Sequence, residues 1–290
     1  MDFRRMQEKY IAKLSGLYPE AEIRQLFFMA VEKFSGLSRP SILLNFNKPS
    51  TVAMTSFLTL TLKELCEGRP IQYILKEAHF MDLVFGVNEA VLIPRPETEE
   101  LVTNILNEVK RARSEAKNLR ILDVGTGSGC IAISLKVRIP VADVWAMDIS
   151  QPALKVASEN AIRNRASVKF LLADICDPAN LVHLPVFDLI VSNPPYVRYS
   201  EQTQMKRNVL DNEPHQALFV SDEDPLLYYR AVFSMARLHL QQDGVIWFEI
   251  NEDLGSEMQD LAKSHGFDCS LFRDIHGKDR MMRCYRQLSS

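Results

Sequence analysis

Arg120-Ile121-Leu122-Asp123-Val124-Gly125-Thr126-Gly127-Ser128-Gly129 reads as a short apolar strand that runs directly into a glycine loop. Glycines at alternate positions let the backbone turn tightly and approach a ligand closely, and a helix is predicted from about Ser128. Asp123, at the strand end, can reach a ligand's amine or orient the loop. The spacing is GxGxG, and Cys130 stands where a dinucleotide fingerprint wants a small residue, which disfavours NAD. Downstream, apolar runs at 144–147, 168–172, Phe187–Ser192 and 245–250 alternate with helical patterns that begin near Pro152 and Pro225 and cover 253–265. This alternation predicts a Rossmann-like α/β fold, a mostly parallel sheet covered by helices on both faces. Met281-Met282-Arg283-Cys284-Tyr285 is expected to return as an edge strand.

Acids recur at the strand ends. Asp148 ends the second strand, where a carboxylate can accept from both ribose hydroxyls, or cap the helix that begins at Pro152. Asp174 ends the third and can accept from an adenine amino group, with Ile175 against the ring, although Asp also serves turns. Three acids at successive strand ends on one sheet edge point to a nucleoside-containing cofactor lying across that edge.

The fourth strand runs out into Asn193-Pro194-Pro195-Tyr196. Two prolines fix an extended backbone and remove two amide donors, leaving nearby carbonyls as acceptors. An Asn carboxamide beside such a carbonyl can take both hydrogens of a planar NH2 group, with Tyr196 packed against it. The plainer reading is a strand-to-loop turn. Because this tetrapeptide and the glycine loop belong to the same sheet edge, cofactor and NH2 group are expected to meet.

Upstream, residues 1–70 read as a small helical domain. Met6, Tyr10, Leu14 and Leu17 recur at helical spacing, as do Ile23, Leu26, Phe27, Ala30, Val31 and Phe34, and a third helix is predicted over 51–66. Residues 71–93 turn to β-branched and aromatic types around Gly86 and Asn88, predicting a linking β-hairpin. The main domain is then 94–290, opened by a helix with acids in its first turn and Lys110 and Arg111 near its end.

Composition excludes several classes. The 290 residues are 47% hydrophobic and 24% charged, enough for a sizeable core, and carry a net charge of −3. Residues 1–75 hold 10 Lys and Arg against 7 Asp and Glu, leaving 24 against 30 in the rest. No nucleic-acid substrate is expected from that balance, since phosphate binding leaves a basic footprint. No apolar run reaches membrane-spanning length, and the first twenty residues lack the pattern of a secretion signal. Cys66, Cys130, Cys176, Cys269 and Cys284 are odd in number and widely spaced, and the six His show no ligand spacing. Free thiols, a cytoplasmic location and no metal are expected.

Asp123 to Gly129, Asp148, Asp174 and Asn193-Pro194-Pro195-Tyr196 together resemble the motifs of class I S-adenosylmethionine-dependent methyltransferases that modify planar NH2 nitrogens. Four further stretches sharpen the likeness: Gly68-Arg69-Pro70-Ile71-Gln72-Tyr73-Ile74-Leu75, Leu92-Ile93-Pro94-Arg95-Pro96-Glu97-Thr98-Glu99, Tyr229-Arg230 and Gly277-Lys278-Asp279-Arg280. In this order they resemble the peptide chain release factor glutamine methyltransferase family over nearly the whole chain.

The resemblance implies a seven-stranded class I methyltransferase sheet, a helical domain for substrate docking, a monomer, and class 1 release factors as protein partners. It implies N5-methylation of the glutamine in their Gly-Gly-Gln motif. Gly125, Thr126, Gly127, Ser128, Gly129, Asp148, Asp174, Ile175 and Asn193 would hold S-adenosylmethionine. Asn193, Pro194, Pro195 and Tyr196 would hold the glutamine, with Asn193, Pro194 and Tyr196 catalytic. Lys76, Pro225 and Asn251 depart from the family, whose members often carry Gly there. A glutamine on a ribosomal protein, a nucleobase amino group, and a binding module without catalysis are the other readings.

Overall fold

Seven strands of the described residues, 1–111 and 119–287 of this computed structural model, join in one sheet. They are β1 (Arg120–Val124), β2 (Asp143–Asp148), β3 (Val168–Leu172), β4 (Phe187–Ser192), β5 (Leu240–Glu249), β6 (Phe267–Arg273) and β7 (Asp279–Arg286). Their order is β6-β7-β5-β4-β1-β2-β3. Pairs within β5-β4-β1-β2-β3 are parallel, and β7 runs antiparallel to both its neighbours.

The central strands are apolar almost throughout because both faces are covered. Leu122, Val124, Ile190, Ile246 and Phe248 point to one face, where they meet α4 (Leu227–His239) and α5 (Gly255–Ser264) through Tyr229, Phe233 and Met258. Ile121, Leu189, Val191 and Trp247 point to the other. There they meet α1 (Pro96–Arg111) and α2 (Cys130–Arg138) through Leu101, Ile105, Ile131 and Leu135. Each such side chain, fully buried, contributes about 1.5–3 kcal/mol, so neither face can be left bare. A fifth helix, α3 (Gln151–Arg163), follows β2.

The chain reverses direction across the sheet at β1. From β1 it steps to β2 and β3, then returns to place β4 on the other side of β1. Such a switch point leaves a crevice beyond the carboxyl ends of the two central strands.

The edge expected at 281–285 lies elsewhere. β7 sits between β5 and β6, and β6 is the edge strand, one that the apolar pattern does not reveal. Only Phe267 of β6 is buried, while Ser270 and Arg273 are exposed, so its periodicity is weak.

Residues 71–93 also differ from the hairpin reading. Ile71–Leu75 is a short helix, because Ile71 and Leu75, four apart, both bury in the core of the N-terminal helices. Pro70 starts it with a fixed φ. The hairpin itself is Ala78–Phe80 paired with Leu83–Phe85, and it turns at Met81 and Asp82, both at positive φ, rather than at Gly86 and Asn88. Gly86 is instead clamped by Asn160 of α3, which accepts from its N–H at 2.6 Å and donates to its carbonyl at 2.9 Å.

The chain divides into two compact units, one of Met1–Glu77 with Lys206–Asn212, the other of Ala78–Met205 with residues 213 onward. In the first unit Phe3–Leu14, Glu20–Ser35 and Val52–Cys66 bury Tyr10, Leu14, Phe27, Val31 and Leu58 against one another. Tyr10 gives its hydroxyl proton to the Leu58 carbonyl at 2.7 Å. No helix among the described residues is long and apolar enough to cross a membrane.

Lys76 ends the Ile71–Leu75 helix at φ 55°, in the left-handed region. A side chain there costs roughly 1–2 kcal/mol, and glycine's extra freedom in the unfolded chain offsets about 0.5–1 of it. Lys76→Gly is therefore expected to stabilise the protein by about 0.5–1 kcal/mol, read as a higher urea midpoint. An unchanged or lower midpoint would show that the Lys side chain compensates for the strain.

Candidate active site

Asp123 is wholly buried at the end of β1, and it holds the glycine loop from beneath. Its Oδ2 accepts from the Thr126 hydroxyl at 2.6 Å and from the Ala132 N–H at 3.2 Å. Its Oδ1 has no hydrogen-bond partner among the described residues. Of the two roles open to Asp123 in the sequence, orienting the loop is the one its contacts make.

Gly125 and Gly127 sit at φ 75° and 53°, and a Cβ on either would meet nothing within 4 Å. Both face open space at the cavity. Gly129 differs: a Cβ there would come within 2.8 Å of Ile133 Cδ1 and 3.1 Å of Ala157 Cβ. It is the close-packing point of α2 against α3.

Asp148 braces the loop from the neighbouring strand. Its Oδ2 accepts from the Gly127 N–H at 2.8 Å and its Oδ1 from the Ser150 N–H at 2.9 Å. Asp174 follows β3, its Oδ1 accepting from the Cys176 N–H at 2.8 Å. Ile175 beside it is half-buried against the core.

β1 and β4 are hydrogen-bonded neighbours with Val124 opposite Ser192, and the Ser192 hydroxyl donates to the Val124 carbonyl at 2.8 Å. The glycine loop and Asn193-Pro194-Pro195 therefore leave adjoining strand ends. They line one cavity of about 540 Å³, together with Asp148, Asp174 and Ile175. Thr98, Leu92 and Arg95 close another wall. Arg95 is held by the buried Glu213 at 2.5 Å, whose other oxygen accepts from the Ile93 N–H at 3.1 Å.

Asp123, Gly129 and Tyr196, all singled out from the sequence, stand off the cavity wall. The Tyr196 ring packs against the core beneath α4, and its hydroxyl donates to Glu249 Oε1 at 3.0 Å. Asn251, one of the departures from the family, donates to the Tyr196 carbonyl at 3.2 Å and so ties down the end of the tetrapeptide. Thr98 and Glu249 are the site residues that motif reading passed over. Thr98 lay within the Ile93-to-Glu99 stretch, but nothing in the sequence shows that helix α1 starts against β4 and β5.

Burial pushes the Asp123 carboxyl up to about 7, its bonds from Thr126 and Ala132 draw it back, and Asp148 nearby adds to the rise. The fold thus keeps a proton that the unfolded chain, ionising near 3.8, gives up. The contribution of Asp123 to stability is then greatest below pH 4, falls by about 1.4 kcal/mol per unit as pH rises from about 4 to 7, and is level above. Between pH 5.5 and 7 this is about 2 kcal/mol, and burial raises Asp148 and Glu249 in the same direction. Asp123→Asn is expected to flatten that decline in urea titrations at pH 5.5 and 8; an equally steep decline would place its origin elsewhere.

A model of the methyltransferase small domain matches residues 100–218, the segment with the glycine loop and the Asn-Pro-Pro-Tyr stretch. The chain is 44% identical to the release factor glutamine methyltransferase of Flavobacterium psychrophilum, over 95% of this chain and 96% of that one. The chain belongs to the release factor glutamine methyltransferase family. The member from Bacteroides thetaiotaomicron is 40% identical over 94% of this chain and 96% of its own. Like other members of that family, the chain is a methyltransferase. Among solved structures, the hMettl16 catalytic domain, determined in complex with the MAT2A 3'UTR hairpin 6, superposes with a TM-score of 0.54. It covers 71% of this chain and 76% of its own at 14% identity, a likeness of fold.

Proposed function

We propose that this protein methylates N5 of the glutamine side chain in the Gly-Gly-Gln motif of class 1 peptide chain release factors, with S-adenosylmethionine as methyl donor. The observation that carries this reading is the pairing of β1 with β4, which brings the glycine loop and Asn193-Pro194-Pro195 onto one cavity. The relatives named above, matched over almost their full length, support the choice of substrate.

The residues fit the cofactor. Gly125 and Gly127 leave open space toward the cavity, and Asp148 and Asp174 present carboxylates at successive strand ends. Gly125, Thr126, Gly127 and Ser128 would border it, Asp148 would accept from the ribose, and Asp174 and Ile175 would flank the adenine. Gly129 would act by seating α2 behind them. When bound, S-adenosylmethionine supplies a methyl group on a positively charged sulfur.

An amide nitrogen is a weak nucleophile because its lone pair is shared with the carbonyl. Asn193 Oδ1 and the Pro194 carbonyl would each accept one N–H, fixing the nitrogen within the cavity that the glycine loop also lines. Such positioning contributes at most roughly 7–11 kcal/mol, and fixed acceptors also stabilise the positive charge that grows on nitrogen. The methyl group would pass from the cofactor's sulfur to this nitrogen, and the proton the nitrogen then carries in excess would be free to leave to water. Pro195 keeps this backbone extended, and Tyr196 would act through Glu249.

Incubation with labelled S-adenosylmethionine and intact release factor, ribosomal protein or nucleic acid tests the reading. Label on the release factor glutamine, located by peptide mass, is expected. Label on nucleic acid alone would overturn it.

A further inference from the structure

We infer that Thr98 and Glu249 are positioning residues that decide which end of the Asn193 carboxamide faces the cavity. The inference rests on the reading of Asn193 given above. Three elements meet here: the first turn of α1 brings Thr98, the end of β5 brings Glu249, and the end of β4 brings Asn193. Ser192 and Phe248 are register partners, so the last two residues are brought close by strand pairing.

Glu249 is 1% exposed, and both of its carboxylate oxygens are taken by hydroxyls. Thr98 Oγ1 donates to Oε2 at 2.7 Å and Tyr196 to Oε1 at 3.0 Å. An ionised carboxylate only accepts, and a hydroxyl has a single proton to give. Once Thr98 has given its proton to Glu249, its oxygen has only lone pairs left. The carboxamide of Asn193, 3.2 Å away, must then present its NH2 to Thr98. The Asn193 oxygen is left for the opposite side, where the residue lines the cavity.

The reverse orientation would set two acceptors against each other at a residue, Thr98, that is 3% exposed, with no proton between them. Burial raises the Glu249 carboxyl, with Glu97 adding to the rise, and against this stand its bonds from Thr98 and Tyr196 and the charge of Arg280, from the Gly277-to-Arg280 stretch. Arg280 is itself fixed by the Ile250 carbonyl at 3.4 Å and Glu252 at 3.1 Å. A chain of fixed polarity thus runs from Glu249 through Thr98 to Asn193. It makes the acceptor end of Asn193 a property of the folded protein before any substrate arrives.

Thr98→Val keeps the shape and removes the hydroxyl. Its kcat for release factor methylation is expected to fall on the order of 10²-fold, the scale of a misplaced reacting group. KM for S-adenosylmethionine should stay within a few-fold, and Thr98→Ser should recover most of kcat. Glu249→Gln can donate where Glu249 only accepts, so it should lower kcat in the same way. Melting temperatures establish that each variant is folded, and Glu249→Gln carries the test if Thr98→Val is not. The side-chain NH2 resonances of Asn193, identified by their loss in Asn193→Ala, should shift in both variants and return in Thr98→Ser. A folded Thr98→Val or Glu249→Gln with more than half of the wild-type kcat would overturn the inference, as would failure of Thr98→Ser to recover. If Asn193→Ala is inactive while these variants are active, only the inference fails; if Asn193→Ala is active too, the reading of Asn193 fails with it.

Discussion

Asn193→Ala is expected to lower kcat for methylation of the release factor by about 10²–10³-fold, the loss seen when one fixed polar group at a reacting centre is removed. The argument is geometric. Asn193 lines the cavity beside the glycine loop, and its NH2 is already committed to Thr98 at 3.2 Å. Its oxygen is therefore a fixed acceptor, and alanine has none. Water admitted in its place could accept a hydrogen bond but would not fix the nitrogen. The contacts that shape the glycine loop, from Asp123, Asp148 and Met147, do not involve Asn193. Affinity for S-adenosylmethionine, measured by calorimetry, should thus change by no more than a few-fold. Retention of more than a few per cent of the wild-type rate would remove Asn193 from its assigned role.

The largest stability loss is expected at Gly129. Gly129→Ala puts a methyl group 2.8 Å from Ile133 Cδ1 and 3.1 Å from Ala157 Cβ, at φ 82°. The Ile133 methyl can rotate away, but Ala157 has no freedom to move without shifting α3. Left-handed strain of about 1–2 kcal/mol and overpacking of about 1–3 together give a loss of about 2–5 kcal/mol. In a chain of this size that lowers the melting temperature by roughly 5–15 °C. Gly127→Ala is the control, because its Cβ would meet nothing within 4 Å and only the strain remains. Equal losses at the two positions would show that helix packing is not what Gly129 serves. Since α2 begins at Cys130, a shifted helix should also weaken cofactor binding in Gly129→Ala.

Much of the fold was legible because its signals are local. The runs at 120–124 and 187–192 coincide with β1 and β4, central strands covered on both faces and therefore mostly apolar, and the run at 168–172 coincides with β3, an edge strand whose Val168, Phe170, Leu171 and Leu172 still mark it. β6 was not legible, because Phe267 is its one buried residue and its apolar period is weak. The helix at Ile71–Leu75 was hidden by β-branched composition that burial in the N-terminal core overrides. Among site residues, Asp148, Asp174 and Asn193 were readable as polar side chains at strand ends. Thr98 and Glu249 were not, since their part depends on contacts between residues 151 positions apart.

A glycine loop, a row of acids and an Asn-Pro-Pro-Tyr stretch can each be placed at the carboxyl end of a strand from residue order alone, and with them the class of chemistry. Those are consequences of residue type and period, and both are written along the chain. That β1 and β4 are neighbours, so that the loop and Asn193 share one cavity, and that Tyr196 turns away from it to Glu249, follow from the folded chain and not from residue order. Which strands pair, and which way a carboxamide points, are set by long-range packing and by the single proton that each hydroxyl has to give.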